Sequence, residues 1–280
     1  MKTKHLIPAL LAMAGLAVGA HATVSSAIPD LLIGFQQSGT PTDYEADLGS
    51  MSNYLGLGAN TTINLSGDIS ATDLMGIFGP NALTGGTVTW AGAATVGASA
   101  ATLNGVSVPA FGTFVTQFDS IQTSLTPGGT PPVSEFNGAG TSILHTRATG
   151  VSNLYSGLNG ATSASTPNAA AIPTGNFSYD HWMNSSTVNG FGAGFDSPTA
   201  LGLTPGEYSV VDLFQYGSGT TTPGTYIGSL ELGWNGTIAT LDFTNFVPIA
   251  IPEPSVYAAI LGAATLAFVA IRRRKQQILA

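Results

Sequence analysis

The sequence contains no cysteine. That excludes a disulfide framework, a thiolate metal site and thiol redox chemistry, whatever the compartment. Charge is nearly as scarce, at 8% of residues against about 25% in an ordinary soluble domain. Positive charge is the scarcest of all. Lys2 and Lys4 stand near the start, and Arg272, Arg273, Arg274 and Lys275 near the end, so Arg147 is alone in between. Residues 23–250 therefore carry fourteen acids against one base, a formal net charge of −13. Nucleic-acid affinity rests on Lys and Arg neutralising phosphates, so this body is no nucleic-acid partner. Gly, Ser, Thr, Asn and Ala take the place of the missing charges, which suits a surface solvated by hydroxyls and amides. Without covalent staples the fold must rest on an apolar core, and residues 23–250 are long enough for one.

The two ends read as addresses. Lys2 and Lys4 precede an apolar run over 6–19 and the small-x-small site Ala20-His21-Ala22, the pattern of a secretory leader over residues 1–22. The expected mature chain begins at Thr23. At the other end Ile251-Pro252-Glu253-Pro254-Ser255 leads into an apolar run over 256–271 and then the four cations. Pro252 and Pro254 fix φ and keep the residues before them out of helix geometry, so Glu253 sits in extended backbone that a peptidase cleft can accept. A helix over 256–271 would rise roughly 24 Å, at the short end for a span, where about 17–25 apolar residues are usual. Arg272–Lys275 would hold the extreme C-terminus on the cytoplasmic side.

Pro-Glu-Pro, a short apolar helix and a basic cluster, in that order over 251–280, resemble the PEP-CTERM sorting signal of Gram-negative bacteria. The resemblance implies processing by an exosortase, after a signal peptidase has removed the leader, with the inner membrane as a transient anchor. It also implies a destination at the cell surface or in an extracellular matrix, linked to exopolysaccharide and biofilm. The plainer alternative is a single-pass anchor that is never cut.

Between the ends, strand signals dominate. Leu31–Gln36, Tyr44–Leu48, Thr61–Leu65 and Thr87–Trp90 are β-rich runs bounded by Gly, Asn or Ser. Ser70-Ala-Thr-Asp73 predicts a capped helix through Phe78 that Gly79-Pro80 ends. Phe111, Phe114, Val115, Phe118, Ile121 and Leu125 recur at three and four residues and predict an amphipathic helix. Residues 126–132 read as a loop, and 159–175 show no period. Tyr208–Tyr216, Tyr226–Leu232 and Thr237–Phe243 predict a closing meander, with Asn235-Gly236 in the last turn. Short motifs such as Asp30–Phe35, Val88-Thr-Trp90, Val211–Phe214 and Gly236–Phe243 are similar to stretches of many PEP-CTERM proteins. The centre, roughly 100–205, matches none of them.

Chemistry is harder to find. Asp180-His181-Trp182 and His145 offer bases, but no Gly-x-Ser-x-Gly elbow and no His-Glu-x-x-His occur in the sequence. Asp43, Glu45 and Asp47 alternate and would share one face of a strand. Solvated acids or a Ca²⁺ cluster are the readings, though the EF-hand pattern fails at Gly49 and Tyr54. Trp90, Trp182, Trp234, Tyr208, Tyr216 and Tyr226 could pack in the core or stack on sugar rings, with Trp234, in the hairpin turn expected over Gly233-Trp-Asn-Gly236, the best exposed candidate for stacking.

These readings converge on an all-β exported domain over 23–250, sandwich-like or jelly-roll-like, with one or two short helices. The expected role is a non-catalytic surface or matrix protein without cofactor or metal. The alternatives are a carbohydrate-binding module and a polysaccharide hydrolase.

Overall fold

The computed structural model describes residues 22–58, 60–123, 140–183, 199–218 and 222–245. In chain order the strands are β1 (Asp30–Gln37), β2 (Thr42–Ser50), β3 (Thr61–Asn64), β4 (Val88–Thr95), β5 (Ala101–Leu103), β6 (Val106–Val108), β7 (Thr113–Gln122), β8 (Ala169–Pro173), β9 (Thr199–Ala200), β10 (Glu207–Tyr216), β11 (Thr225–Trp234) and β12 (Ala239–Asn245). The helices are α1 (Ala71–Phe78), α2 (Thr141–Leu158) and α3 (Tyr179–Met183).

Ten strands form one antiparallel sheet in the order β3-β12-β11-β10-β7-β4-β1-β2-β8, with β9 beside β4, while β5 and β6 make a separate hairpin. The expected pair of sheets is thus one curled sheet. Among the described residues its two halves are joined as a ladder where Ala93–Thr95 of β4 pair with Thr113–Val115 of β7. Around that short ladder the sheet curls, so one face of both halves closes on a common core. From one half come Leu31, Ile33, Phe35, Tyr44 and Trp90, and from the other Val211, Leu213, Leu230, Leu232 and Phe243. Trp90 spans the gap: its ring stacks on Phe35 at 5.9 Å, and its Nε1 donates to Ser209 Oγ of the far half at 2.9 Å. The segment between β2 and β4 closes this core with Tyr54, Leu74, Phe78 and Leu83.

Helix α1 forms as its sequence dictates: Ser70 is the N-cap and its Oγ accepts from Asp73 N at 3.2 Å. The helix expected between Phe111 and Leu125 is instead β7. Phe111 sits in a turn at φ +59°, and Thr113, Phe114, Val115 and Thr116 are wholly buried on both faces of a central strand. A bulge that gives β7 one extra residue, Asp119, opposite Val210 and Val211 of the partner strand then shifts the alternation. Two-sided burial and a bulge together counterfeit a helical spacing. The true long helix, α2, lies in the stretch that matched nothing. Leu144, Ala148, Val151, Leu154, Tyr155 and Leu158 form its buried stripe, and the last four pack against Leu32, Ala91, Ala93 and Val115 on the outer face of the sheet.

Candidate functional site

Asp43, Glu45 and Asp47 do share one face of β2, but it is not a solvated face. They are 1%, 2% and 6% exposed, so the expectation of acids in solvent is corrected. The outer face they occupy is roofed by α3, whose contacts include β1 and β2. Glu45 Oε1 accepts from Tyr179 N at 2.7 Å, and Asp43 Oδ2 accepts from Asp180 N at 2.7 Å. A five-residue helix has too few internal bonds to persist alone, and here two carboxylates from a neighbouring strand satisfy the free N–H groups of its first turn. Asp47 has a different task, accepting from Gly49 N at 2.7 Å beside the positive-φ turn that ends β2.

Burial dominates the electrostatics. It pushes Asp43 up to about 6 and Asp47 up to about 7, and it holds Glu45 well above the usual carboxylate range, against the opposing N–H bonds. Among the described residues no three His, Cys, Asp or Glu side chains are placed to hold a metal ion.

A second buried polar group lies on β10 and β11. Ser229 Oγ donates to Asp212 Oδ1 at 2.6 Å and stands 2.7 Å from Tyr226 Oη. Glu231, 2% exposed, faces Asp242 across the ladder, and its Oε1 has no partner. Burial pushes both Asp212 and Glu231 up to about 7.

Two cavities flank the β2 carboxylates. The smaller, about 10 Å³, lies between Gly34, Glu45, Ala91, Leu154 and Tyr179, room for about one water. The larger, about 290 Å³, opens at the tip of the β1–β2 hairpin and is lined by residues 36–40 with Thr174 and Asp180.

Trp234 does not stand at the surface. It ends β11 at 9% exposure and belongs to the inner core, so its assignment as a sugar-stacking residue is withdrawn. The turn beyond it is built by Asn235, whose Oδ1 accepts from Thr237 N and Ile238 N, with Gly236 at φ +95°. Trp90 and Tyr216 are buried, while Tyr208 and Tyr226 are half-buried. His145 rests against Phe111 with ring centroids 4.8 Å apart. His181 lies in α3. The Trp182 side chain, Ala20, the Pro252-Glu253-Pro254 motif, the 256–271 run and Arg272–Lys275 lie outside the described residues. Ala22 is described: its carbonyl accepts from Ser163 N at 2.9 Å, and Thr23 bridges to Thr162. Among the described residues no helix is long and apolar enough to cross a membrane.

Alternation placed the three acids on one face; nothing in the pattern announced the helix that covers them. Gln36, at the mouth of the larger cavity, escaped the sequence reading because a single glutamine in an apolar strand carries no pattern.

Comparison with protein-family models, with curated proteins and with solved structures finds no match.

Proposed function

We propose that this chain is an exported, non-catalytic protein of the cell surface or extracellular matrix, delivered by PEP-CTERM-type sorting. The observation that carries the reading is the order of features at the C-terminus: Pro252-Glu253-Pro254, the apolar run 256–271, then Arg272–Lys275. A leader over 1–22 supplies the first export step, and an exosortase supplies the second by cutting at the extended Pro-Glu-Pro segment. The 256–271 helix parks that segment at the membrane face until the cut. The β-rich body suits a passenger whose task is to persist outside the cell without disulfides. The non-catalytic reading is supported by where its acids go: Asp43 and Glu45 each hold a backbone N–H group of α3 through one oxygen, beneath a roof.

Mass spectrometry of the surface-associated protein, from a host with a working exosortase, tests the proposal. A mature C-terminus at or near 252–254 is the expected result. A terminus at Ala280 makes the tail a plain anchor and overturns the sorting assignment.

A further inference from the structure

Three neighbouring strands present polar groups that the protein itself does not satisfy. Gln36 of β1 is 8% exposed and its amide has no hydrogen-bond partner. Its cross-strand partner on β4 is Thr89, whose Oγ1 is buried without a partner. On the other side, Phe35 and Tyr44 are register partners of β1 and β2, so Gln36 and Asp43, the next residues along, leave the sheet side by side on its outer face. Asp43 Oδ1 is also buried and unpartnered. Thr89, Gln36 and Asp43 thus form a row across β4, β1 and β2.

Buried polar groups are nearly always paired, and an unpaired one costs stability. Thr89 Oγ1 and Asp43 Oδ1 are two such atoms, and the Gln36 amide between them, unpaired but within reach of solvent, opens on a cavity. Gln36 itself lines the 290 Å³ cavity, and Asp180, whose N–H holds Asp43, lines it too. Part of the wall is already oriented from behind. Gln37 Nε2 donates to Thr87 Oγ1 at 3.0 Å, Thr40 Oγ1 to Gln37 O at 2.7 Å, and Thr174 Oγ1 to Pro41 O at 3.2 Å.

The lining decides the ligand class. Amides and hydroxyls both donate and accept, and a carboxylate accepts, so the wall complements a molecule that carries many groups of both kinds. Among the described residues it has no aromatic or aliphatic wall for an apolar guest, and no Lys or Arg for an anion. Its volume is near the lower end of small-ligand sites, about 300 Å³. We propose that the cleft at the β1–β2 tip binds a neutral polyhydroxylated ligand, a sugar unit of hexose size, with the Gln36 amide as its central contact. Recognition would run through hydrogen bonds without ring stacking, hence weak binding repeated along a polymer. This inference goes beyond the sorting proposal and stands whether or not the tail is cut.

Saturation-transfer NMR on the full-length chain tests it, in dodecylphosphocholine micelles because that detergent carries no sugar. The probes are glucose, galactose and cellobiose, with glucuronate as the anionic comparison and CaCl2 followed by Tm. Gln36→Leu keeps the volume and removes an amide that has no partner in the protein, so its Tm should change little; Thr89→Val, which removes a buried unpartnered hydroxyl, is the second variant. The expected result is transfer to at least one neutral sugar, weaker transfer to glucuronate, and a loss of roughly five-fold in Gln36→Leu, the worth of one hydrogen bond. Equal transfer in wild type and Gln36→Leu, or none to any of the three sugars, overturns the proposal. So does a Tm raised by CaCl2 without sugar binding, which would make the row a cation site.

Discussion

The ring of Tyr179 lies against the backbone of Gly34, so close that a Cβ on residue 34 would fall 2.1 Å from Cδ2 of the tyrosine. Gly34 is in the middle of β1, paired with Glu45 on one side and Ala91 on the other. Glycine weakens a strand on its own account, but here its missing side chain is the floor on which α3 sits. The same tyrosine donates its N–H to Glu45. Ring contact and hydrogen bond thus fix α3 to adjacent strands at one point.

Gly34→Ala should therefore unseat α3. Overpacking of a tight contact costs typically about 1–3 kcal/mol, and displaced Tyr179 would also leave Glu45 without its donor. Urea unfolding of Gly34→Ala, Tyr179→Ala and the double variant should show non-additivity, the double losing less than the sum. Strict additivity would mean that the ring moves aside without consequence.

Stability should fall as pH rises from about 4 to 8. Burial raises Asp43, Asp47, Asp212 and Glu231 to between about 6 and about 7, and holds Glu45 well above the usual carboxylate range. A carboxylate whose folded pKa lies above its unfolded value holds its proton longer in the native state. Its contribution is complete below the unfolded pKa, near 4, and is lost as pH climbs through the folded value. Each group can tilt stability by at most about 1.4 kcal/mol per pH unit within that window. Tm should be higher at pH 5 than at pH 8, and Glu45→Gln should flatten the profile while an uncharged acceptor still meets Tyr179 N. A Tm that rises across this range would contradict the burial of these acids.

What could be seen in the sequence follows from how each element is exposed. Strands such as β1, β2, β10 and β11 are bounded by turn residues, and α1 carries its own cap, so local chemistry identified them. β7 has the spacing of a helix in the sequence because both its faces are covered and period two disappears. Helix α2 was overlooked although Leu144, Ala148, Val151, Leu154 and Leu158 hold a regular stripe. Ser, Thr and Gly around that stripe are poor helix formers, and Arg147, the body's one base, is buried within it. The alternation of Asp43, Glu45 and Asp47 gave their common face, yet burial of that face depends on α3, more than 130 residues later in the chain. Long-range cover of that kind leaves no mark on a local pattern.

Trp234 illustrates the same point from the opposite direction. A tryptophan beside an Asn-Gly turn looks available to ligands, but it is packed in the core shared by both halves of the sheet. Trp234→Ala should destabilise the domain by about 3–5 kcal/mol while leaving any sugar binding at the Gln36 cleft unchanged once folded protein is compared. Guanidinium unfolding checks the first part, and saturation transfer at a temperature where the variant is folded checks the second. A fully stable variant would mean that the indole is not part of the core.

Export should remove the leader between Ala22 and Thr23, and the structure gives that cut a consequence. Thr23 already pairs with Thr162, Val24 is 3% exposed, and Val24 N donates to Ala161 O at 2.9 Å. The new amino terminus would therefore start at the point where the chain joins the domain, and the cut would remove the Ala22 carbonyl that accepts from Ser163 N. Cleavage two or three residues later would remove Val24 from its buried place and weaken the anchoring of the loop after α2. N-terminal sequencing of the exported protein should read Thr23-Val24-Ser25. Replacing Ala20 and Ala22 together by glutamine should abolish the small-x-small site and leave uncut precursor at the membrane. A mature chain that begins at Met1, or inside β1, would show that residues 1–22 are not a cleaved leader.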